Sequence, residues 1–243
     1  MAMTTVGIDL SAEPAKTGIA VAHWENGAAT VTSLRLGNTD RDIVEAAAGA
    51  DRIGIDAPFG WPDAFVQFIA GHHVFDPLTV PLETRDQRRP LTKRLTDLAV
   101  HKDLGVMPLS VSADLIAHVA FRCAGILDAL AVTDRAAGLA VEAYPAAALR
   151  RWGLTHRGYK GAGARGFDEL VTALTTVAPW LNLGEFEPLC RASDDAFDAV
   201  ITALIARAAA LGRTAAPSED DRETAAREGW IHVPTCPLVE LAC

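Results

Sequence analysis

The triplet Gly7-Ile8-Asp9 and its repeat Gly54-Ile55-Asp56 each close an apolar stretch with the two-residue alternation of a β-strand. Because side chains alternate between the two faces of a sheet, the isoleucine and the aspartate of each triplet point to opposite faces. The next predicted strand, Leu139–Ala143, also carries an acid near its end, Glu142. Turns favour Asp, which is one explanation of acids at strand ends. The other is a shared site, because open α/β sheets place their sites at the carboxyl ends of strands.

Around the triplets, the first third of the chain has the pattern of a sheet. The turn Glu25-Asn26-Gly27 between two apolar runs is typical of a hairpin. We expect the first four strands over the segments Thr5–Leu10, Gly18–Trp24, Ala29–Leu36 and Arg52–Asp56. A predicted helix over Asp40–Ala48, capped by Thr39 or Asp40, joins the third strand to the fourth and indicates a parallel crossover. The predicted fold class is therefore α/β, with three antiparallel strands followed by parallel strands and flanked by helices.

The later part of the chain contains a weakly patterned stretch and then clear helices. We expect an insertion at about residues 57–110, with short helices at Pro62–Ile69 and Leu91–Val100. The other predicted helices are Ser112–Ala131, Phe167–Val177 and Asp194–Leu211, with Ser112 and Ser193 as the expected caps of the first and the last. We also expect a glycine-rich loop at Gly158–Gly166 and a final strand at Trp230–Val233. No internal repeat interrupts this order, which predicts a single domain over residues 1–243.

The composition is that of a globular protein. The 243 residues are half apolar and carry 31 acidic against 22 basic side chains, for a net charge of −9, which is unlike a disordered chain. The acidic balance argues against broad coating of nucleic acid but allows a local basic groove. Four cysteines without a Cys-x-x-Cys pair argue against a disulfide scaffold or a cysteine zinc site and favour a cytoplasmic protein. Neither a membrane-spanning run nor a signal peptide is recognisable, so we expect no membrane partner.

Three acids open the last predicted helix. Asp194 and Asp195 fall in its first turn, where the positive end of the helix dipole is by itself a sufficient explanation for them. Asp198 lies in the second turn, at the edge of the apolar stripe. Converging carboxylates need a cation or a proton to coexist, and Mg²⁺ and Mn²⁺ prefer oxygen ligands. Two such ions can activate a water and stabilise the leaving oxygen of a phosphodiester, so acids on strand ends beside one helix suit metal-dependent cleavage.

Six short motifs occur in an order that resembles a known family. They are Gly7-Ile8-Asp9-Leu10-Ser11, Ile55-Asp56-Ala57-Pro58, Arg94-Leu95-Thr96-Asp97, Glu142-Ala143-Tyr144-Pro145, Tyr159-Lys160 and Asp195-Ala196-Phe197-Asp198-Ala199. From Gly7 to about Val233 the chain resembles domain of unknown function family 429 (DUF429), described as predicted nucleases of RNase H-like fold. The start of the last helix is also similar to that of RuvC-type Holliday-junction resolvases.

The resemblance implies an RNase H-like fold with a five-stranded sheet and a set of metal carboxylates. The implied catalytic metal ligands are Asp9, Asp56, Asp195 and Asp198. Glu142 matches a family motif and would be a fifth ligand or a base outside the ligand shell. The implied cofactor is Mg²⁺ or Mn²⁺, and the implied partner is a nucleic acid substrate. The predicted insertion after the fourth strand departs from compact ribonuclease H proteins.

Half of the basic side chains flank the strands that end in acids. They are Arg85, Arg88, Arg89, Lys93, Arg94 and Lys102 in the insertion, and Arg150, Arg151, Arg157, Lys160 and Arg165 around the glycine-rich loop. Arg85, Arg94 and Lys160 are the candidates for binding substrate phosphate at the rim of an acidic centre. The alternative is a solvated loop, because acids are interspersed. The same loop has the spacing Gly-x-Gly-x-x-Gly at Gly161, Gly163 and Gly166, but the polar segment before it disfavours a dinucleotide site.

Three functions remain as hypotheses. The first is a divalent-metal-dependent nuclease that hydrolyses DNA or RNA by a two-ion mechanism. The second is an actin-like ATPase or kinase, whose first hairpin also begins with Gly-Ile-Asp and a polar turn, here Ser11–Thr17. This chain lacks a second Asp-Gly phosphate turn and a Gly-Gly adenosine motif. The third is a non-catalytic binding protein on the same fold, in which the acids serve structure or solubility.

Overall fold

The computed structural model describes residues 2–161 and 166–242. Within these ranges six strands form one sheet: β1 (Met3–Asp9), β2 (Gly18–Glu25), β3 (Ala28–Leu36), β4 (Arg52–Asp56), β5 (Ala140–Glu142) and β6 (Leu181–Asn182). Their order across the sheet is β5-β4-β1-β2-β3-β6. Neighbours among β1, β2 and β3 are antiparallel, whereas β4 runs parallel to β1, and β5 runs parallel to β4. The α/β fold with antiparallel and then parallel strands is therefore confirmed.

The strand count differs from the expected five. The additional strand β6 has two residues and pairs in parallel with Ala29 and Thr30 at the edge of β3. A segment this short carries no readable alternation, which is why the sequence did not predict it. In the described part of the chain, the predicted final strand Trp230–Val233 is reduced to a bridge between Ile231 and Glu142.

Helices cover both faces of the sheet. Those in the described ranges are α1 (Asp40–Ala47), α2 (Asp63–His73), α3 (Arg85–Thr92), α4 (Leu95–Leu104), α5 (Ala117–Ala129), α6 (Pro145–Arg151), α7 (Phe167–Val177), α8 (Glu187–Ala192), α9 (Asp194–Ala210) and α10 (Arg222–Glu228). The helix α9 lies across β1, β2 and β4 on one face. Ile8 and Ile55 pack on the opposite face with residues of α1 and α5. The two isoleucines thus lie on the face opposite α9, as the alternation predicted.

Helix boundaries follow local caps where the cap is free to act. Thr39 and Ser193 accept hydrogen bonds from the first turns of α1 and α9, as predicted. Ser112 does not cap α5, because its hydroxyl donates instead to the carbonyl of Leu91, at 2.7 Å. The helix therefore begins at Ala117. The chain between β4 and α5 forms α2, α3 and α4, which is one helix more than the two short ones expected in this weakly patterned stretch.

In the described residues, no helix combines the length and the apolar character that a bilayer crossing requires. Cys123, Cys190 and Cys236 are buried free thiols. Gly163 and Arg165 of the glycine-rich loop lie outside the described residues, so the features predicted there are not described.

Candidate functional site

Glycines allow α9 to lie close against the sheet. A Cβ atom at Gly7 would stand 2.1 Å from the carbonyl oxygen of Ala199 and 2.2 Å from the amide nitrogen of Ala203. A Cβ atom at Gly54 would stand 2.6 Å from the carbonyl oxygen of Thr202. The backbone of α9 therefore occupies the space that a side chain would need, so the glycine of each Gly-Ile-Asp triplet is required by helix packing.

This close approach brings three carboxylates together. Asp9 and Asp56 are direct partners in the parallel pairing of β1 and β4, and Asp198 reaches them from the second turn of α9. One carboxylate oxygen from each residue lies within 4.8 Å of the other two. Asp198 is fully buried, whereas Asp9 and Asp56 are half-buried. These three residues, here called the acidic triad, meet at the strand ends where the sequence predicted that they would.

Nearby positive groups do not fully neutralise the negative charge of the triad. Burial raises the pKa of Asp9 well above its usual value, and the neighbouring Asp56 and Asp198 raise it further. Burial raises the pKa of Asp56 to about 7, although Lys160 opposes the shift and Asp198 adds to it. Burial also raises the pKa of Asp198, against the influence of Lys160. Each carboxylate therefore holds a proton more tightly than in water, as expected of acids that share one low-dielectric site.

Lys160 and Tyr159 both contact Asp198. The Lys160 ammonium forms an ion pair with Oδ2 of Asp198, and the lysine side chain is half exposed. The Tyr159 hydroxyl is 2.9 Å from Oδ1 of the same carboxylate and donates to it. Burial alone would lower the pKa of Lys160, but Asp198 and Asp56 outweigh it and raise that pKa. The lysine is therefore protonated beside the triad and partly accessible to a ligand.

The donor set fits a hard divalent cation. If the three carboxylates are ionised and Lys160 is protonated, the group retains two negative charges. All the donors are carboxylate oxygens, which Mg²⁺ and Mn²⁺ accept as ligands. Because Asp9 and Asp56 are only half-buried, an ion held by the triad would keep a side open to water and substrate. The triad could thus hold the metal that the sequence implied.

The other two acids of α9 take separate positions. Asp195 lies near Asp9, whose pKa it helps to raise. Partial burial and the adjacent Asp194 raise the pKa of Asp195 itself. Oδ2 of Asp194 accepts a hydrogen bond from the amide of Gly161 at 2.8 Å, which ties the loop after Lys160 to the start of α9. Of the predicted ligands on this helix, the structure places Asp198 in the triad and Asp195 beside it.

Glu142, which the resemblance implied as a fifth ligand or a base, lies outside the acidic triad and forms a buried ion pair with Arg94. Its two carboxylate oxygens accept hydrogen bonds from the Arg94 guanidinium at 2.7 and 2.8 Å. Oε2 also accepts from the amide of Phe59 at 2.9 Å. Arg94 pairs in addition with Asp97, and all these side chains are buried. The glutamate therefore links β5 to the start of α4 through Arg94, and both of its oxygens already accept hydrogen bonds from within the protein.

The three basic residues predicted to bind phosphate have different outcomes. Arg94 cannot do so, because its guanidinium is buried and paired with Glu142 and Asp97. Arg85 is exposed at the start of α3, a helix that packs against α2. Lys160 is the one of the three that contacts the triad.

A cleft of about 380 Å³ adjoins the triad. It contains Asp56 and Lys160 in its lining and continues past Tyr144 to the apolar side chains of Pro108 and Leu109. We call it the side cleft. Because the lining includes Asp56 of the triad and both residues that contact Asp198, Tyr159 and Lys160, a molecule bound in the side cleft would lie against the acidic centre.

Arg122 is a residue near the site that sequence reasoning missed. From α5 its guanidinium donates to the Ser11 carbonyl at 2.8 Å and to the Thr17 hydroxyl at 2.6 Å. It also donates to the Asn38 carbonyl and pairs with Asp40. These contacts hold the turn that follows Asp9. No pattern in the sequence could have found them, because they join segments about 80 to 110 residues apart.

Comparison with known proteins gives one match. The profile of a family described as "Protein of unknown function (DUF429)" matches residues 7–222. No curated protein and no solved structure matches the chain. The matched range begins at the first Gly-Ile-Asp triplet and extends beyond α9, so it includes every member of the acidic triad.

Proposed function

The chain belongs to the family of proteins of unknown function DUF429, and from its acidic triad we propose that it is a divalent-metal-dependent nuclease of RNase H-like fold. The observation that carries the proposal is the approach of Asp9, Asp56 and Asp198 to within 4.8 Å of one another. Their residual negative charge and their position at the carboxyl ends of β1 and β4 suit a cation and a phosphodiester substrate.

The order of the strands supports the RNase H-like part of the proposal. The first five strands form three antiparallel neighbours followed by two parallel ones, in the order β5-β4-β1-β2-β3. The resemblance implies a sheet of five strands, and the sequence pattern predicted three antiparallel strands followed by parallel ones. The short strand β6 and the helical segment between β4 and β5 are additions to it.

The chain's own residues have distinct parts in the proposed reaction. Mg²⁺ or Mn²⁺, when bound, would supply an activated water and stabilise the leaving oxygen of the phosphodiester. The half-exposed ammonium of Lys160 can bind a phosphate oxygen and offset charge that develops on it. The Tyr159 hydroxyl holds the carboxylate of Asp198 in one orientation. Asp195 is near Asp9 and only half-buried, so it can accept a hydrogen bond from water.

Metal binding and cleavage together test this proposal. Fluorescently labelled DNA and RNA, each as single strand, duplex and branched junction, are incubated with the protein and Mg²⁺ or Mn²⁺. We expect cleavage of at least one substrate. Asp9→Asn should reduce it on the order of 100-fold or more, because loss of residues that merely support metal ligands already costs 10- to 100-fold.

Two controls make the result decisive. Asp220→Asn changes an exposed acid outside the site and should leave cleavage unchanged. Circular dichroism should show that Asp9→Asn remains folded. If calorimetry detects Mn²⁺ binding that Asp9→Asn abolishes, but no substrate is cleaved, the protein binds metal without the proposed activity. Metal-dependent ATP hydrolysis in place of nucleic acid cleavage would favour the ATPase hypothesis instead.

A further inference from the structure

The side cleft has the size of a site for one small group. Its volume is about 380 Å³, near the lower end of the roughly 300–1,000 Å³ typical of small-molecule sites. Asp56 and Lys160 form its boundary with the acidic triad. A double helix is far too wide to enter such a cleft, whereas one nucleotide unit is not.

The walls of the side cleft suit a flat, largely apolar ring. Pro58 lines it from the segment after β4, and Pro108, Leu109 and Ile116 line it from the segment between α4 and α5. Tyr144 lines it from the turn after β5. Aromatic and aliphatic walls of this kind hold nucleobases irrespective of their hydrogen-bonding edge, because every base has a flat apolar face.

Positive charge is placed at the mouth of the side cleft rather than at its base. Arg157 and Lys160 are exposed and line the mouth together with the half-buried His156. Arg94 and Glu142 also contribute to the lining, but they are paired with each other. The protein as a whole carries a charge of −9. An apolar slot with two local cations at its opening therefore matches a base attached to a phosphate.

We propose that the side cleft binds the base of an unpaired nucleotide next to the phosphate at the acidic triad, so the substrate is single-stranded nucleic acid. The choice of a nucleotide rests on the proposed nuclease function. A base in the cleft must be unstacked and unpaired, because an enzyme reaches a base within a duplex only by flipping it out, at the cost of unpairing. A single strand presents its bases without that cost.

Two substitutions in the cleft test the proposal. Ala146 is half-buried in the lining, so Ala146→Leu reduces the available volume. Leu109 is 57 % exposed, so Leu109→Asp introduces a charge into the apolar wall with little risk to folding. The matched control is Leu115→Asp, because Leu115 is 98 % exposed and outside the cleft. The probes are AMP and UMP, titrated by calorimetry in EDTA and in Mn²⁺, and a labelled oligonucleotide as single strand and as blunt duplex.

We expect both cleft substitutions to weaken AMP and UMP binding at least tenfold and to raise KM for the single strand at least tenfold. Mn²⁺ affinity should stay within twofold of the wild type, which separates the cleft from the metal centre. The wild type should cleave the single strand at least tenfold better than the duplex, measured by kcat/KM. The Leu115→Asp control should match the wild type in every measurement.

The failure of this inference and the failure of the proposed function give different results. If the duplex is cleaved as well as the single strand, and Ala146→Leu and Leu109→Asp change neither KM nor nucleotide binding, the cleft assignment is wrong and the nuclease stands. If nothing is cleaved, but AMP and UMP bind the wild type and not the two cleft variants, the nuclease is wrong and the cleft is a nucleotide site. Binding of free AMP and UMP without binding of the oligonucleotide would overturn the inference that the substrate is single-stranded nucleic acid.

Discussion

Without a bound cation, the acidic triad should weaken the folded state, and Asp56→Asn measures by how much. Burial raises the pKa of Asp56 from 3.8 to about 7, with Lys160 opposing the shift and Asp198 adding to it. One pKa unit corresponds to about 1.4 kcal/mol of free energy. The shift of about three units therefore means that ionised Asp56 lowers the free energy of unfolding by about 4 kcal/mol at pH 8.

The sign of this effect fixes its dependence on pH. The folded state binds the proton of Asp56 more tightly than the unfolded state does, so wild-type stability falls as the pH rises from about 4 to about 7. Above pH 7 the whole penalty is present. Asparagine has nearly the same shape and no charge at any pH. Asp56→Asn should therefore be more stable than the wild type by up to about 4 kcal/mol at pH 8, and by much less at pH 4.

Urea unfolding in EDTA at both pH values, followed by tryptophan fluorescence, provides the measurement. Asp220→Asn is the matched control and should show no such gain. Saturating Mn²⁺ should then narrow the difference, because binding at 100 times Kd adds about 2.7 kcal/mol to the stability of the wild type that Asp56→Asn cannot gain in full. An Asp56→Asn variant that is less stable than the wild type at pH 8 in EDTA, or equally stabilised at both pH values, would refute the account of the triad.

Two further predictions concern packing and a half-buried histidine. Gly7→Ala should lower the free energy of unfolding by at least about 3 kcal/mol, because its Cβ would overlap the backbone of α9. Gly49 has open space around it, so Gly49→Ala should change the free energy of unfolding little in the same urea experiment. Equal stability of the two variants would show that α9 does not require the glycine. Burial lowers the pKa of His232 to about 4, although its hydrogen bond to the Ala136 carbonyl opposes the shift, so the unfolded state takes up a proton first as the pH falls below about 6.5. Between pH 6.5 and 4 the free energy of unfolding of the wild type should fall by about 3 kcal/mol more than that of His232→Gln. His73→Gln, which changes an exposed histidine, should lose as much as the wild type. Parallel plots of unfolding free energy against pH for the wild type and His232→Gln would contradict this.

The parts of the fold that depend on near neighbours in sequence could be predicted. The alternation around Gly7-Ile8-Asp9 and Gly54-Ile55-Asp56 located two strands and the faces of their side chains. Thr39 and Ser193 marked helix starts because a cap and the amide that it satisfies are only two or three residues apart. The strand β6 was missed because two residues carry no period.

The amino-acid sequence determined where the main strands lie, which face their side chains take and which acids stand at their ends, because alternation and capping act over a few residues. It could not decide which acids share a site. In the sequence, Asp198 and Glu142 are both acids beside apolar stretches. In the structure, α9 places Asp198 close to Asp9, whereas Glu142 pairs with Arg94, which lies 48 residues earlier in the chain. Only the tertiary structure makes that distinction, because the energy of a buried carboxylate depends on the charges that folding places around it.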